Sequence, residues 1–243
     1  MENTHPCGLS PEAEAHTCMT CWVKRLSLLR DLSQEELRLA NNGRVFEQYL
    51  PGDVIFEEGM PSRGLFCLNF GKVKIVRSGL GDNDPIIALK KPVEFMGMKA
   101  LFLEKNHSGT AIALEPCGIC IIPRDGFLEI VKKNNDLSLK VVQMLSKEVE
   151  AADKRMINLT QKHLRGRLAD ALLLLLDRFG TNEDEETLAA QLKRADLAAL
   201  ANMTVANAIR ILSDFSKEHI LEIDRRKIKL LNLDKLREIS ALG

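Results

Sequence analysis

The sequence predicts an α+β fold in three parts: an N-terminal β-roll, a long helix and a C-terminal winged helix–turn–helix. Three observations carry that prediction. Short apolar runs separated by turn residues fill the stretch from Val45 to Pro123. Apolar residues then recur at alternating spacings of three and four from Val142 to His163. Last, a helix–corner–helix pattern from Ala195 to Phe215 precedes two short alternating segments. At 243 residues the chain exceeds the usual length of one domain, so each end has enough residues for its own core.

Residues 1–43 read as a Cys-bearing leader and a first helix. Ser33 stands three residues ahead of Glu36, the spacing of a capping box, and Gly43 can end the helix in a left-handed turn. Residues 44–134 read as the β-roll. Val54-Ile55-Phe56, Leu65-Phe66-Cys67-Leu68, Val73-Lys74-Ile75-Val76 and Ile119-Cys120-Ile121-Ile122 are strand-length runs. Pro51-Gly52-Asp53, Gly59-Met60-Pro61, Gly71 and Gly79-Leu80-Gly81-Asp82 punctuate them, the pattern of an all-β sandwich or jelly roll.

Residues 135–163 read as a dimerisation helix. Val142, Leu145, Val149, Ala152, Met156, Leu159 and His163 form a coiled-coil-like seam, while Lys147, Glu148, Glu150, Asp153, Lys154 and Arg155 occupy the other face. A second copy of the chain would bury that stripe. Packing of one long helix on its own β-domain is the alternative.

Residues 164–243 read as the winged helix–turn–helix domain. Asn202 suits the left-handed corner between two helices, and the Thr204 hydroxyl can cap the second. Val205, Ala208, Ile211, Leu212 and Phe215 are expected to face inward, leaving Ala206, Asn207, Arg210 and Asp214 outside. Arginine can grip guanine with two hydrogen bonds, and asparagine can pair with adenine. Arg225, Arg226 and Lys227 make the tip of the following hairpin basic, a fit to phosphate.

Composition sets the limits. Apolar residues at 45% and charged residues at 28% exclude a disordered or fibrous chain. The longest apolar run, Ala171 to Leu176, is far short of the about 20 residues that span a bilayer. Met1 to Pro6 shows neither the basic start nor the apolar core of a secretory signal, which predicts a cytoplasmic chain. There, six cysteines are expected as thiols, metal ligands or redox sensors rather than structural disulfides. Lys plus Arg equals Asp plus Glu at 34 each, so net charge gives no sign of nucleic acid. No P-loop, HExxH or Ser–His–Asp order is present, so no enzyme is expected.

Leu50-Pro51-Gly52-Asp53-Val54-Ile55-Phe56, Gly71-Lys72-Val73-Lys74-Ile75, Arg167-Leu168-Ala169-Asp170-Ala171-Leu172 and Arg194-Ala195-Asp196-Leu197-Ala198 occur in this order. The arrangement from about Leu32 to Ile239 resembles the Crp/Fnr family of bacterial transcription regulators. The resemblance implies a cyclic-nucleotide-binding-like jelly roll, a homodimer on a palindromic promoter site, and double-stranded DNA and RNA polymerase as partners. It places Arg194, Thr204, Ala206, Asn207, Arg210, Arg225, Arg226 and Lys227 at the DNA.

Departures from the family pattern bear on the effector. Relatives that bind cyclic AMP carry a Glu after the glycine of the phosphate-binding turn, and an Arg about ten residues on. Here Met98 follows Gly97, and no Arg occurs through Thr110, so cyclic AMP is not expected. Lys99 or Lys105 leaves another anion as an option. In the reading helix Ala206 stands where many relatives have Glu, which predicts a changed base preference at one position.

Cys18-Met19-Thr20-Cys21 and Cys120 resemble cluster-ligand positions of the fumarate–nitrate regulators, whose third leader cysteine is here Ser27. Cys7 or Cys117 would then have to complete the set. An iron–sulfur cluster on Cys18, Cys21, Cys120 and Cys7, a zinc site, a thiol–disulfide pair and no cofactor all stay open. Haem on His5, His16 or His107 is weaker still, because isolated histidines are mostly structural. Two function classes follow: a DNA-binding regulator, or a ligand-binding or redox-thiol protein whose C-terminal domain makes protein contacts.

Overall fold

The computed structural model describes residues 18–19, 21–79 and 84–243. Cys7, His5, His16 and the turn residues Leu80 to Asp82 lie outside them.

In chain order the elements are α1 (Trp22–Leu26), α2 (Gln34–Asn41), β1 (Val45–Tyr49), β2 (Val54–Phe56), β3 (Gly64–Phe70), β4 (Val73–Val76), β5 (Ile86–Lys90) and β6 (Phe95–Met96). There follow α3 (Met98–Leu103), β7 (Thr110–Ala113), β8 (Cys117–Pro123), α4 (Arg124–Lys133) and α5 (Asn135–Gln161). The C-terminal elements are α6 (Leu164–Phe179), α7 (Arg194–Leu200), α8 (Val205–Lys217), β9 (Leu221–Asp224), β10 (Lys227–Leu230) and α9 (Leu233–Leu242). The mixed α+β class, the strand-rich N-terminal part, the long helix and the C-terminal helix–turn–helix are as the sequence predicts.

Backbone contacts divide the chain into two units, residues 1–73 with 90–146 and residues 74–89 with 147–243. In the first, an antiparallel sheet runs β1-β8-β3-β6, with Cys67 opposite Cys120 and Phe66 opposite Ile121. β3 and β8 are buried along nearly their whole length. Strands covered on both faces need apolar residues throughout, so these two read as continuous runs rather than alternating ones. One face carries Leu65, Cys67, Cys120 and Ile122 into a cluster with Leu37 and Ala40 of α2, Phe127 and Ile130 of α4, and Leu137 and Val141 of α5.

Local chemistry sets the ends of the covering helices. Ser33 accepts from the Glu36 amide, and the Glu36 carboxylate accepts from the Ser33 amide, a capping box worth about 1 kcal/mol. That helix stops at Asn41, two residues before the left-handed Gly43. Asn134 then opens α5, its Oδ1 accepting from the Leu137 amide at 2.9 Å. The short α1 within the leader carries no N-cap signal and was not foreseen.

The second unit combines β4, β5 and the C-terminal elements. Lys74 of β4 pairs with the buried Asp196 of α7 at 2.5 Å, and Arg178 donates to the Leu89 carbonyl at 2.6 Å. α6 packs along α9, where Asp170 accepts from Lys162 at 2.8 Å and from Ser240 at 2.5 Å. The boundaries expected at 134 and 163 follow secondary structure, whereas compactness divides α5 at Ser146, because its first turns pack with the β-sheet core. α5 ends at Gln161, so His163, expected to close the seam, instead precedes α6 as its N-cap residue. Among the described residues no single helix is long and apolar enough to cross a membrane.

Gly71, between β3 and β4, has φ +91°, and a Cβ there would meet Pro116 O and Cys117 Sγ at 2.5 Å. Gly71→Ala is expected to cost about 2 kcal/mol or more, read as a fall in the denaturant midpoint. An unchanged midpoint would show that the turn relaxes freely.

Candidate functional site

The C-terminal surface is built around a corner. α7 ends at Leu200, Asn202 adopts φ +50° and the Met203 amide returns to the Ala198 carbonyl at 3.0 Å. Thr204 then caps α8, its hydroxyl accepting from the Asn207 amide at 3.3 Å. Two arginines fasten the corner from outside the motif. Arg155 donates to the Leu200 carbonyl and Arg167 to the Asn202 carbonyl, each at 3.0 Å. A cation suits that place because the last carbonyls of a helix lack amide partners. Burial pushes the Arg155 pKa down, so its hydrogen bond is made away from bulk water. Its spacing places Arg155 on the face opposite the seam, but nothing in helical spacing shows which neighbour a side chain will meet.

α8 buries Ala208, Ile211, Leu212 and Phe215 and leaves Ala206 and Arg210 exposed, with Asn207 partly so. Val205, expected inward, is 37% exposed, because a first-turn residue has no preceding turn beneath it. Ile209 is also exposed and joins the outer face, unforeseen. Arg210 lies 3.9 Å from Asp214, too long for a hydrogen bond, so its guanidinium is held loosely over the surface. Arg165 pairs with Glu218 and lies 4.7 Å from the Phe215 ring, fixing the far end of α8.

β9 and β10 pair with Asp224 opposite Lys227, so the turn is Arg225-Arg226, with Arg225 at φ +53°. Arg225, Arg226 and Lys227 are exposed. Arg194 is partly buried and donates to the Arg225 carbonyl at 2.6 Å, while its Nη1 lacks a partner. It holds the hairpin tip against the start of α7.

The five described cysteines lie in the first unit. Cys67 and Cys120 face each other across β3 and β8, and Cys18 belongs to the same buried cluster, with Cys21 packed against it. The leader is tied there by the Cys18 amide, which donates to Asn41 Oδ1 at 2.8 Å. Arg44 Nη1 donates to Cys120 Sγ at 2.8 Å. Burial pushes the Cys18 thiol up to about 11 and Cys67 well above its ordinary value. It also raises Cys120, against the pull of Arg44. Cys117 sits apart, with Sγ against the carbonyls of Glu115 and Lys72 at 3.1 and 3.3 Å. Ser27 is buried, donating to the Lys24 carbonyl and accepting from the Leu29 amide. Among the described residues, no group of three or more His, Cys, Asp or Glu stands so as to hold a metal ion. Cys67 was missed because a cysteine inside an apolar run reads as core.

At the turn before α3, Gly97 is left-handed, Met98 is buried, and Lys99 and Lys105 are exposed. His107 is buried, stacked on Phe56 at 4.0 Å between ring centroids, with Nε2 unpartnered.

A capped, exposed helix at a tight corner beside a basic hairpin, in a chain with a strand-rich N-terminal part, defines a DNA-binding transcription regulator. Residues 46–134 match the cyclic nucleotide-binding domain family and residues 166–239 the Crp-like helix-turn-helix domain family. The chain is 27% identical over 218 residues to a cyclic AMP receptor protein of Thermus thermophilus, covering 90% of this chain and 98% of that one. It is 25% identical over 232 residues to a fumarate and nitrate reduction regulatory protein of Vibrio cholerae, covering 93% and 91%. The solved structure of FixK2 from Bradyrhizobium japonicum shares the fold with a TM-score of 0.73 at 20% identity, covering 82% of this chain and 98% of that one. The chain belongs to the Crp/Fnr family, whose matched members here are transcription regulators rather than enzymes.

Alkylation of the reduced, metal-free protein, read by peptide mass spectrometry, tests the burial of the thiols. Cys117, with its pKa pushed to about 11, is expected to react more slowly in the native chain than in urea. Below that pKa the thiolate fraction grows about tenfold per pH unit, so the rate should climb steeply between pH 7 and 9. Equal rates at pH 7 in native and denatured protein would contradict its placement.

Proposed function

We propose that the chain works as a homodimer on a palindromic promoter site, with α8 of each copy in one of two successive major grooves. The first unit and its cysteines receive the signal. The observation that carries the DNA reading is the outer face of α8, where Arg210 is the long, loosely held donor beside Ala206 and Asn207. Arginine in that place reads guanine through O6 and N7. Arg226 and Lys227 at the hairpin tip meet phosphate, with Arg225 beside them and Arg194 bracing the turn from behind. Ala206 brings no acceptor for cytosine to the helix start. The bound dimer acts on transcription through RNA polymerase.

Support for the dimer comes from α5. Val142, Val149 and Met156 are 57%, 61% and 61% exposed on one 27-residue helix, with Ala152 exposed between them and Leu145 and Leu159 partly covered. A stripe of that length left in water would cost about 1.5–3 kcal/mol for each large side chain, which a second copy removes. Cyclic AMP is not the effector in this reading. Met98 is buried where an acceptor for ribose is needed, and no arginine follows to pair with the phosphate.

Charged replacements of Leu145 and Met156 together should give monomers in sedimentation and abolish tight operator binding. Persistent dimers would remove the α5 seam. Arg210→Ala is expected to cost about 1–3 kcal/mol on the specific site and to flatten preference at one base pair per half-site. Arg226→Ala should weaken all DNA alike and reduce the salt slope by about one. Binding to the true site and to scrambled DNA across a salt series separates the two roles. Equal weakening of both DNAs by Arg210→Ala would make it a phosphate contact and displace α8 as the reading helix.

A further inference from the structure

Two large apolar side chains of α8 stand in water on the same face as the exposed arginine. Val205 is 37% and Ile209 51% exposed, whereas Ile211, Leu212 and Phe215 of the same helix are buried. Ile209 and Ile211 are one residue type two places apart, so helix face alone separates them. Four residues, or about 6 Å along the axis, lie between Val205 and Ile209, which sets one above the other. Exposed Ala206 adjoins Val205, and exposed Arg210 adjoins Ile209. The outer face of α8 therefore begins as an apolar strip of Val205, Ala206 and Ile209 with a guanidinium along its edge.

Neither packing nor helix propensity accounts for Val205 and Ile209. β-branched residues form helices less well than Ala, Lys, Glu or Arg, and the difference is felt most where no core decides the residue. Their stiffness has another use. In a helix the side chains of Val and Ile hold nearly one rotamer at χ1, so their methyl groups are placed before contact and little freedom is lost on binding. A three-residue strip is far smaller than the about 800 Å² per side that a stable protein interface buries. Arg210 at its edge, with Arg226 and Lys227 exposed at the hairpin tip, suits a polyanion that carries an apolar group between its phosphates. On the major-groove edge of double-stranded DNA that group is the C5-methyl of thymine.

We propose that Val205 and Ile209 read thymine, each packing its methyl groups on a thymine C5-methyl in the major groove beside the guanine that Arg210 grips. The proposal rests on the reading of α8 as the helix that enters the groove. About 6 Å of helix covers about two base steps of 3.4 Å, so the two thymines fall within about two base pairs of each other. Cytosine in their place would turn its amino donor against carbon and leave it without a hydrogen bond. Base choice at the start of α8 thus divides between a charged donor for guanine and fixed methyl groups for thymine.

Random-sequence duplexes are selected for binding to the full-length protein. The selected duplex is then made with uracil replacing thymine at one position at a time, which removes the methyl and keeps the O4 acceptor and the pairing edge. Wild type is expected to bind about fourfold more weakly for each contacted methyl lost, as follows from the burial of one carbon. Val205→Ser and Ile209→Ser should each bind thymine and uracil alike at one position of the half-site and keep the discrimination at the other. Arg210→Ala should keep both discriminations. Circular dichroism and unchanged affinity for scrambled DNA show that each variant folds. Wild type indifferent to uracil at every position overturns the proposal, as does discrimination that survives in both serine variants. Loss of self-association in the serine variants, read by sedimentation, also overturns it, because the strip then covers a second copy. If uracil has no effect while Arg210→Ala flattens the guanine preference, the methyl contacts fall and α8 remains the reading helix. If uracil has no effect and Arg210→Ala weakens every duplex alike, or if no duplex is selected, both readings fall.

Discussion

The pairing of β3 with β8 imposes the central constraint on the first unit. Two antiparallel strands buried along nearly their full length need both faces covered, and one of those faces presents Leu65, Cys67, Cys120 and Ile122. α2, α4, the leader and the first turns of α5 converge to cover it, which draws Cys18 and Cys21 over the strand cysteines. The same burial that stabilises the sheet makes Cys18, Cys67 and Cys120 hard to ionise, and Arg44 opposes that at Cys120 and Cys18. Covering the sheet and assembling the cysteines are one packing event.

That packing reaches the long helix. Leu137 and Val141 of α5 lie in the cluster that contains Cys18, Cys67 and Cys120. Interiors packed at crystal-like density do not absorb a change of volume or charge locally, so an alteration among the thiols strains the base of α5. The capping box of α2 joins this layer as well, since Glu36 accepts from Asn134, whose other side-chain atom caps α5.

In the second unit, α8 is set by polar fastening as much as by its core. Arg155 and Arg167 satisfy carbonyls at the α7–α8 corner, Arg165 and Glu218 fix the opposite end, and Arg194 holds the hairpin tip. Four arginines are thus committed to backbone or ion-pair contacts within the protein, while Arg210 and Arg226 remain exposed. A chain of zero net charge can still present local positive charge, because acidic partners such as Glu218 and Glu186 neutralise cations placed away from the outer face of α8.

Much of this was determined by the sequence alone. Strand-length runs between glycine and proline turns, the three–four spacing of α5, the Ser33–Glu36 box and the Asn202–Thr204 corner are local signals, each depending on residues within a few positions of one another. They specified the fold class and the outer face of α8, Val205 and Ile209 excepted. What sequence could not reach was decided by contacts between distant residues. The register that sets Cys67 against Cys120, the leader lying over them, Arg155 reaching Leu200 and the turning of Cys117 to the other face depend on separations of about 45 residues or more, or on which face of a strand is covered. Spacing along the chain says which residues share a face, but only the packed sheet and helices decide what that face meets.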